Sequence, residues 1–176
     1  MKVDITKEFT TMHSRKAPIR GSFSRGMSEL LKASSLGDLA RVQAALARGD
    51  NPNWKNPRGY TCLMLAVSNG HDKVVELLLQ QPTLDLTAIS APDSGSFTAL
   101  HFGCRSDDNV VGVRMLVAVL GLGEVDKRSR NGLTPLQVAV VNASLECIKL
   151  LVKVEGVNLE TRRNDGKGLE VSARQT

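Results

Sequence analysis

Aromatic side chains make up only 3% of the 176 residues. A core this poor in rings, and rich in Ala, Leu and Val, suits packed helices better than a β-sandwich or barrel. Long apolar runs are missing as well. The longest, around residues 113–122, is interrupted by Arg114 and Gly121 and falls short of the roughly 18 residues that span a bilayer. The N-terminus lacks the apolar stretch of a signal peptide. It is basic and rich in hydroxyls, but Asp4 and Glu8 weaken a transit-peptide reading.

Paired cysteines are absent too. Cys62, Cys104 and Cys147 offer no CxxC spacing for zinc. An odd number of thiols inside apolar helical patterns points to a reducing compartment, the cytosol or nucleus. Histidine is scarce: His13, His71 and His101. None stands at a spacing that pairs it with a Ser, Cys or Lys as nucleophile and base. Gly121-Leu122-Gly123 lacks the further glycine and the Lys-Ser/Thr of a phosphate cradle. The sequence therefore predicts no enzyme, no cofactor and no metal.

What is present is a repeat. Tyr60-Thr61-Cys62-Leu63-Met64-Leu65-Ala66 matches Leu133-Thr134-Pro135-Leu136-Gln137-Val138-Ala139 at an offset of 73. Phe97-Thr98-Ala99-Leu100-His101-Phe102-Gly103 falls between them, and Met27-Ser28-Glu29-Leu30-Leu31-Lys32-Ala33 lies 33 residues before the first. The second half of each unit follows in phase. Val74-Val75-Glu76-Leu77-Leu78-Leu79 aligns with Cys147-Ile148-Lys149-Leu150-Leu151-Val152, again at 73. A polar–apolar–polar step closes each unit: Asn51-Pro52-Asn53, Asp85-Leu86-Thr87, Glu124-Val125-Asp126 and Asn158-Leu159-Glu160.

One unit reads as two helices. Ser28, Thr61, Thr98 and Thr134 are N-cap candidates, and Pro135 sits where a missing N–H costs nothing. Leu and Ala then recur at helical spacing. Gly37 and Gly70 end the first helix. Gly26, Gly59 and Gly132, two residues ahead of a cap, suit a turn with positive φ. The second helix is more apolar than a surface helix should be, so copies in adjacent units must sandwich it.

Thr134-Pro135-Leu136, Thr98-Ala99-Leu100-His101, Asn69-Gly70-His71 and the Val74–Leu79 run together resemble ankyrin repeats, whose period near 33 and T-P-L-H-x-A motif they share. The resemblance implies an all-α solenoid of helix-turn-helix units with β-hairpin-like finger loops. Four units are expected, at about 26–58, 59–95, 96–131 and 132–165. Residues 1–25 form a separate basic arm, expected to be disordered. Within it, Arg20-Gly21-Ser22-Phe23-Ser24-Arg25 suits a basophilic kinase. Residues 166–176 open a fifth unit, either as a one-helix cap or, the favoured reading, as part of a stack that continues in a longer parent protein. The third unit should be least regular: its finger, residues 87–96, is long, its turn 105–109 carries an extra residue, and its second helix should run on through Leu122.

Stacks of this kind bind other proteins through a concave surface of fingers and exposed first-helix positions. On the fingers those positions are Trp54, Lys55, Arg58, Lys127, Arg128, Arg130, Arg162 and Arg163. On the first helices they are Ser68, Asn69, Arg105 and Asn142. The later fingers should bring Lys127, Arg128, Arg130, Arg162 and Arg163 into one basic ridge able to take an acidic or phosphorylated segment. Against that stand a merely solvated edge and a Trp54 packed on its own hairpin. His101 is expected to bridge repeats, and Cys62 and Cys147 to be small core residues. The expected role is that of a scaffold, adaptor or regulatory subunit, monomeric by itself. Alternatives are the targeting part of a longer enzyme or signalling protein, and nucleic-acid binding. A near-neutral body with few rings argues against the latter.

Overall fold

The computed structural model describes residues 28–91 and 95–159. The basic arm and the opening of a fifth unit lie outside the described residues. Four helix pairs follow one another. The first is α1 (Glu29–Leu36) with α2 (Leu39–Ala47), the second α3 (Cys62–Ser68) with α4 (Asp72–Leu79). The third is α5 (Ala99–Gly103), a 3-10 turn (Asp107–Asn109), α6 (Val110–Val119) and the short α7 (Leu122–Val125). The fourth is α8 (Pro135–Val141) with α9 (Leu145–Leu151). Helices α1, α3, α5 and α8 stack as an inner layer, and α2, α4, α6 and α9 as an outer one. Among the described residues there is no strand.

The caps explain where the inner helices start. The hydroxyls of Thr61, Thr98 and Thr134 accept from the N–H groups of Met64, His101 and Gln137. At Thr98 and Thr134 the box is reciprocal, with His101 and Gln137 side chains reaching back to the cap N–H. Ser28 departs from the expectation: its side chain makes no cap hydrogen bond. A single core runs through all four units, from Leu30 and Leu31 through Leu63, Leu65 and Leu100 to Leu133 and Leu151. In α4, Val74, Val75 and Leu78 are buried while Leu77 and Leu79 pack partly against that core, so the outer helix is sandwiched as its composition requires.

The third unit is irregular, but not in the way its sequence suggests. Its outer helix does not run on through Leu122. It stops at Val119, because Leu120 (ψ 140°) and Gly121 (ψ 161°) are extended, and a separate turn of helix begins at Leu122. The extra residue at 105–109 produces the 3-10 turn. That turn delivers Asp107 to the next unit, where its carboxylate accepts from the N–H groups of Glu146 (2.9 Å) and Cys147 (3.3 Å). α9 is thus capped by its neighbour, whereas its own Ser144 supplies no cap.

Equivalent positions in the inner turns differ in backbone strain. Gly70 ends its turn at φ 70°, and Ala143, 73 residues on, adopts φ 54°. An L-residue in that left-handed region is disfavoured by roughly 1–2 kcal/mol. The greater freedom that glycine loses on folding offsets part of this. Ala143→Gly is therefore expected to raise unfolding stability by about 0.5–1 kcal/mol, read from the urea midpoint at constant slope. An unchanged or lower midpoint would contradict the strain argument.

Candidate interaction surface

Three fingers are closed by the same device. In the first, the Asn56 N–H donates to Tyr60 O (3.2 Å), and the Asn56 carbonyl side chain accepts from the Tyr60 N–H (2.9 Å). In the third, Ser129 does both for Leu133, at 2.9 and 3.2 Å. In the second, Ser90 does both for Phe97, each at 2.9 Å. The loop is hairpin-like without forming a ladder. Neighbouring fingers are then joined through the backbone: Ala91 N–H donates to Arg58 O (2.9 Å), and Arg130 N–H to Gly95 O (3.0 Å). The signal was in the sequence as a polar residue five positions before two of the caps and eight before Thr98, where the longer finger hides it.

Behind the fingers, polar side chains tie each unit to the next. Buried His101 accepts at Nδ1 from the Thr98 N–H (3.2 Å) and donates from Nε2 to Leu133 O (2.9 Å). Burial, the largest influence, pulls its pKa down to about 4, so the ring is neutral at pH 7. This is the repeat-bridging role expected of it. His71 bridges to Ser35 O (3.1 Å), and Asn109 to Ser68 O (3.4 Å). At the outer edge, Asn53 accepts from the Asp85 N–H (2.7 Å) and Asp126 from the Asn158 N–H (2.8 Å).

The three thiols are buried. Cys62 donates to Pro52 O (2.9 Å), and burial pushes its pKa up to about 12, so it stays a protonated core residue. Cys104 and Cys147 are hydrogen-bonded to each other across the third and fourth units. The Cys104 S–H holds the Cys147 thiol below its usual range, while burial raises that of Cys104. Among the described residues no His, Cys, Asp and Glu cluster is placed to hold a metal. No helix there is long and apolar enough to cross a membrane.

The residues singled out from sequence fare differently. Trp54 is half-buried and packs against the core, so its ring is largely committed. Lys55 is exposed and reaches Ile89 O (3.4 Å), and Arg58 is exposed on the same finger. Ser68 is half-buried, and its carbonyl holds Asn109. The Asn69 amide donates to Ser35 O (2.9 Å), and that of Asn142 to Val138 O (2.7 Å). Both amides serve the stack itself, a use their sequence positions did not reveal.

Arg105 lies just beyond α5, half-buried. Lys127 folds back onto Glu124 (3.0 Å) and Thr87 O (3.4 Å), which blunts its charge in the ridge. The Arg128 guanidinium donates to Gly132 O (2.8 Å), while Arg130 is exposed. Arg162 and Arg163 lie outside the described residues, so the ridge is traced only through Arg130.

Charge is nonetheless segregated. Among the described residues the fingers carry Lys55, Arg58, Lys127, Arg128 and Arg130, and the inner layer adds Lys32 and Arg105. Glu29 stands on the inner layer, and Glu124 reaches the fingers through its ion pair with Lys127. Asp72, Glu76 and Glu146 stand on outer helices beside Arg41, Lys73, Arg114 and Lys149, Asp38, Asp107 and Asp108 on the inner-to-outer turns, and Asp50, Asp85, Glu124, Asp126 and Glu155 around the outer-helix ends with Arg48 and Lys153, so carboxylates outnumber cations there.

Two in-phase layers, fingers closed by one repeated device and a His bridge between units describe one architecture, and comparison with known families agrees. A family model described as "Ankyrin repeats (3 copies)" matches residues 30–121, and one described as "Ankyrin repeat" matches residues 131–165. The chain belongs to the ankyrin-repeat family. Among curated relatives, the ankyrin stack is 30% identical to mouse Rabankyrin-5 over 145 residues, 82% of this chain and 12% of that protein. It is 30% identical to the Saccharomyces cerevisiae target of rapamycin complex 2 subunit AVO2 over 125 residues, 69% of this chain and 28% of that protein. It is 24% identical to a rice protein named "Probable E3 ubiquitin-protein ligase XBOS32", over 93% of this chain and 36% of that one. This ankyrin stack thus spans about a third or less of each of these relatives.

Proposed function

We propose that the stack is a non-catalytic protein-interaction module, a scaffold, adaptor or regulatory subunit, that holds an acidic segment of a partner protein against its fingers and inner helices. The observation that carries this is the charge segregation. A body close to neutral overall presents one basic side, which steers and orients an acidic partner without making the whole protein a polycation. The likeness to a protein named as a complex subunit supports an assembling role.

The same distribution disfavours nucleic acid. Duplex binding needs many phosphate contacts, and strand binding needs exposed rings. Here Tyr60, Phe97 and Phe102 are buried and packed edge-on at 5.3 and 5.8 Å.

Arg58→Glu combined with Arg130→Glu is expected to abolish capture of the partner from native extract. Both side chains are exposed, so helix content by circular dichroism should be unchanged. Undiminished recovery of the same partner, identified by mass spectrometry, would refute the acidic-segment reading.

A further inference from the structure

Arg105 differs from every other cation on the basic side. It follows Cys104, the C-cap of α5, and its backbone N–H turns back to Phe102 O (3.4 Å). The same row of the inner layer holds Ser35, Ser68 and Val141 in the other units, so Arg105 is the one charge in a neutral row. Its side chain is half-buried, Tyr60 is the group that acts on it electrostatically, and the Tyr60 ring packs edge-on against Phe102. Among the described residues its guanidinium has no hydrogen bond and no carboxylate partner. Burial disfavours its charged form. A guanidinium rarely gives up its proton, so among the described residues this cation is partly desolvated and not compensated.

Such a group destabilises the fold unless something completes it, and local costs of this kind collect at functional positions. We infer that Arg105 is the anchor of the inner face, taking a side-chain carboxylate of the bound acidic segment in a forked pair beside Tyr60. This rests on the reading of the surface given above and names the group recognised there. Carboxylate is preferred to phosphate on charge balance. One guanidinium and one carboxylate leave no net charge in the half-buried site, whereas a phosphate near −2 would leave an excess. Arg58 and Arg130, exposed on the fingers, then act at longer range, drawing the segment in.

The two roles separate in kinetics. Losing a desolvated partner speeds dissociation, whereas losing an exposed rim charge slows association and flattens the salt dependence. Two fluorescein-labelled peptides serve as probes, one a C-terminally amidated Glu/Ala decapeptide and the other its counterpart with one central Glu replaced by phosphoserine. Arg105→Met keeps the aliphatic stem and removes the charge. It is expected to raise the melting temperature of the peptide-free protein by about 2–4 °C. It should also weaken Glu/Ala peptide binding at least tenfold through faster dissociation, with the salt slope little changed.

Arg58→Gln should lower that slope and leave dissociation unchanged. A lower melting temperature in Arg105→Met, restored by Arg105→Lys, would make Arg105 a structural residue and overturn the inference. So would unchanged peptide binding in Arg105→Met alongside lost binding in the Arg58→Glu, Arg130→Glu variant, which leaves the wider reading standing. Tenfold tighter binding of the phosphoserine peptide would overturn the carboxylate assignment. No binding of either peptide to the wild-type protein would overturn the acidic-segment reading together with this one.

Discussion

His101→Ala is expected to lower unfolding stability by about 3–5 kcal/mol, the largest effect of any single substitution considered for this protein. The side chain is 1% exposed. Its removal opens a cavity the size of an imidazole, strands the Thr98 N–H without a partner and takes away one of the two hydrogen bonds to Leu133 O. It also cuts a direct link between the third and fourth units. In a stack held by nearest-neighbour interfaces, the damage should appear as early loss of that interface. Hydrogen exchange should therefore show the amides of α8 and α9 opening before those of α3 and α4. Uniform loss of protection throughout the stack would contradict this local role.

The same histidine makes stability depend on pH, and the sign follows from burial. In the unfolded chain the imidazole takes a proton near pH 6.5. In the folded chain, burial defers protonation to about pH 4. Between those values the unfolded state binds more protons, so stability falls as the solution is acidified. Its contribution is complete above pH 6.5, shrinks by about 1.4 kcal/mol per pH unit and is exhausted below pH 4. The total change is about 3 kcal/mol. His101→Gln, which cannot titrate, should be less stable at pH 7 and show a flatter profile between pH 6.5 and 4. Parallel urea-unfolding profiles for the two proteins over that range would refute the assignment.

The second large effect is expected at Gly59. Its φ is 73°, and a Cβ built there would meet Ala91 N at 2.2 Å. That nitrogen belongs to the backbone bond joining the first two fingers, Ala91 N–H to Arg58 O. Gly59→Ala therefore adds a clash with immovable backbone to the strain of positive φ, about 2–4 kcal/mol together. Gly49 provides the comparison. Its φ of 87° is similarly strained for an L-residue, but nothing lies within 4 Å of its would-be Cβ. Gly49→Ala should thus carry the conformational part alone, roughly 1 kcal/mol. Equal melting temperatures for the two variants would show that the finger contact contributes nothing. Because Arg58 sits in that finger, Gly59→Ala should also weaken partner capture.

Much of this was legible from residues alone, for a definite reason. The repeat places Thr61, Thr98 and Thr134 at helix starts, Pro135 at a position needing no N–H, and apolar residues at one helical period. Each rule is local, so each works without knowing the neighbours. His101 was legible because its position in the motif carries its role. The exceptions lie at the first cap, the third outer helix and the first finger. Ser28 has a capping residue's chemistry but no cap bond. The third outer helix ends at Val119 although its apolar run continues, because the backbone at Leu120 and Gly121 turns extended. For Trp54 the sequence left an interface anchor and packing on its own hairpin both open, and the ring packs against the core.

The candidate surface shows the same division. Sequence supplied the basic residues of the fingers, and so the sign of the charge proposed for a partner. It could not show that Lys127 is tied to Glu124, that Arg128 holds Gly132, or that the Asn69 and Asn142 amides are spent within the stack. Those pairings depend on residues brought together by stacking or by a turn's geometry. The sequence by itself determined the order of the described units and their helical register, because periodicity and capping act within a few residues. Only the tertiary structure decided which charges stand exposed and which are drawn into the stack. A side chain's partners are set by the packing of successive units, and Arg105, half-buried in a neutral row, acquires its meaning there.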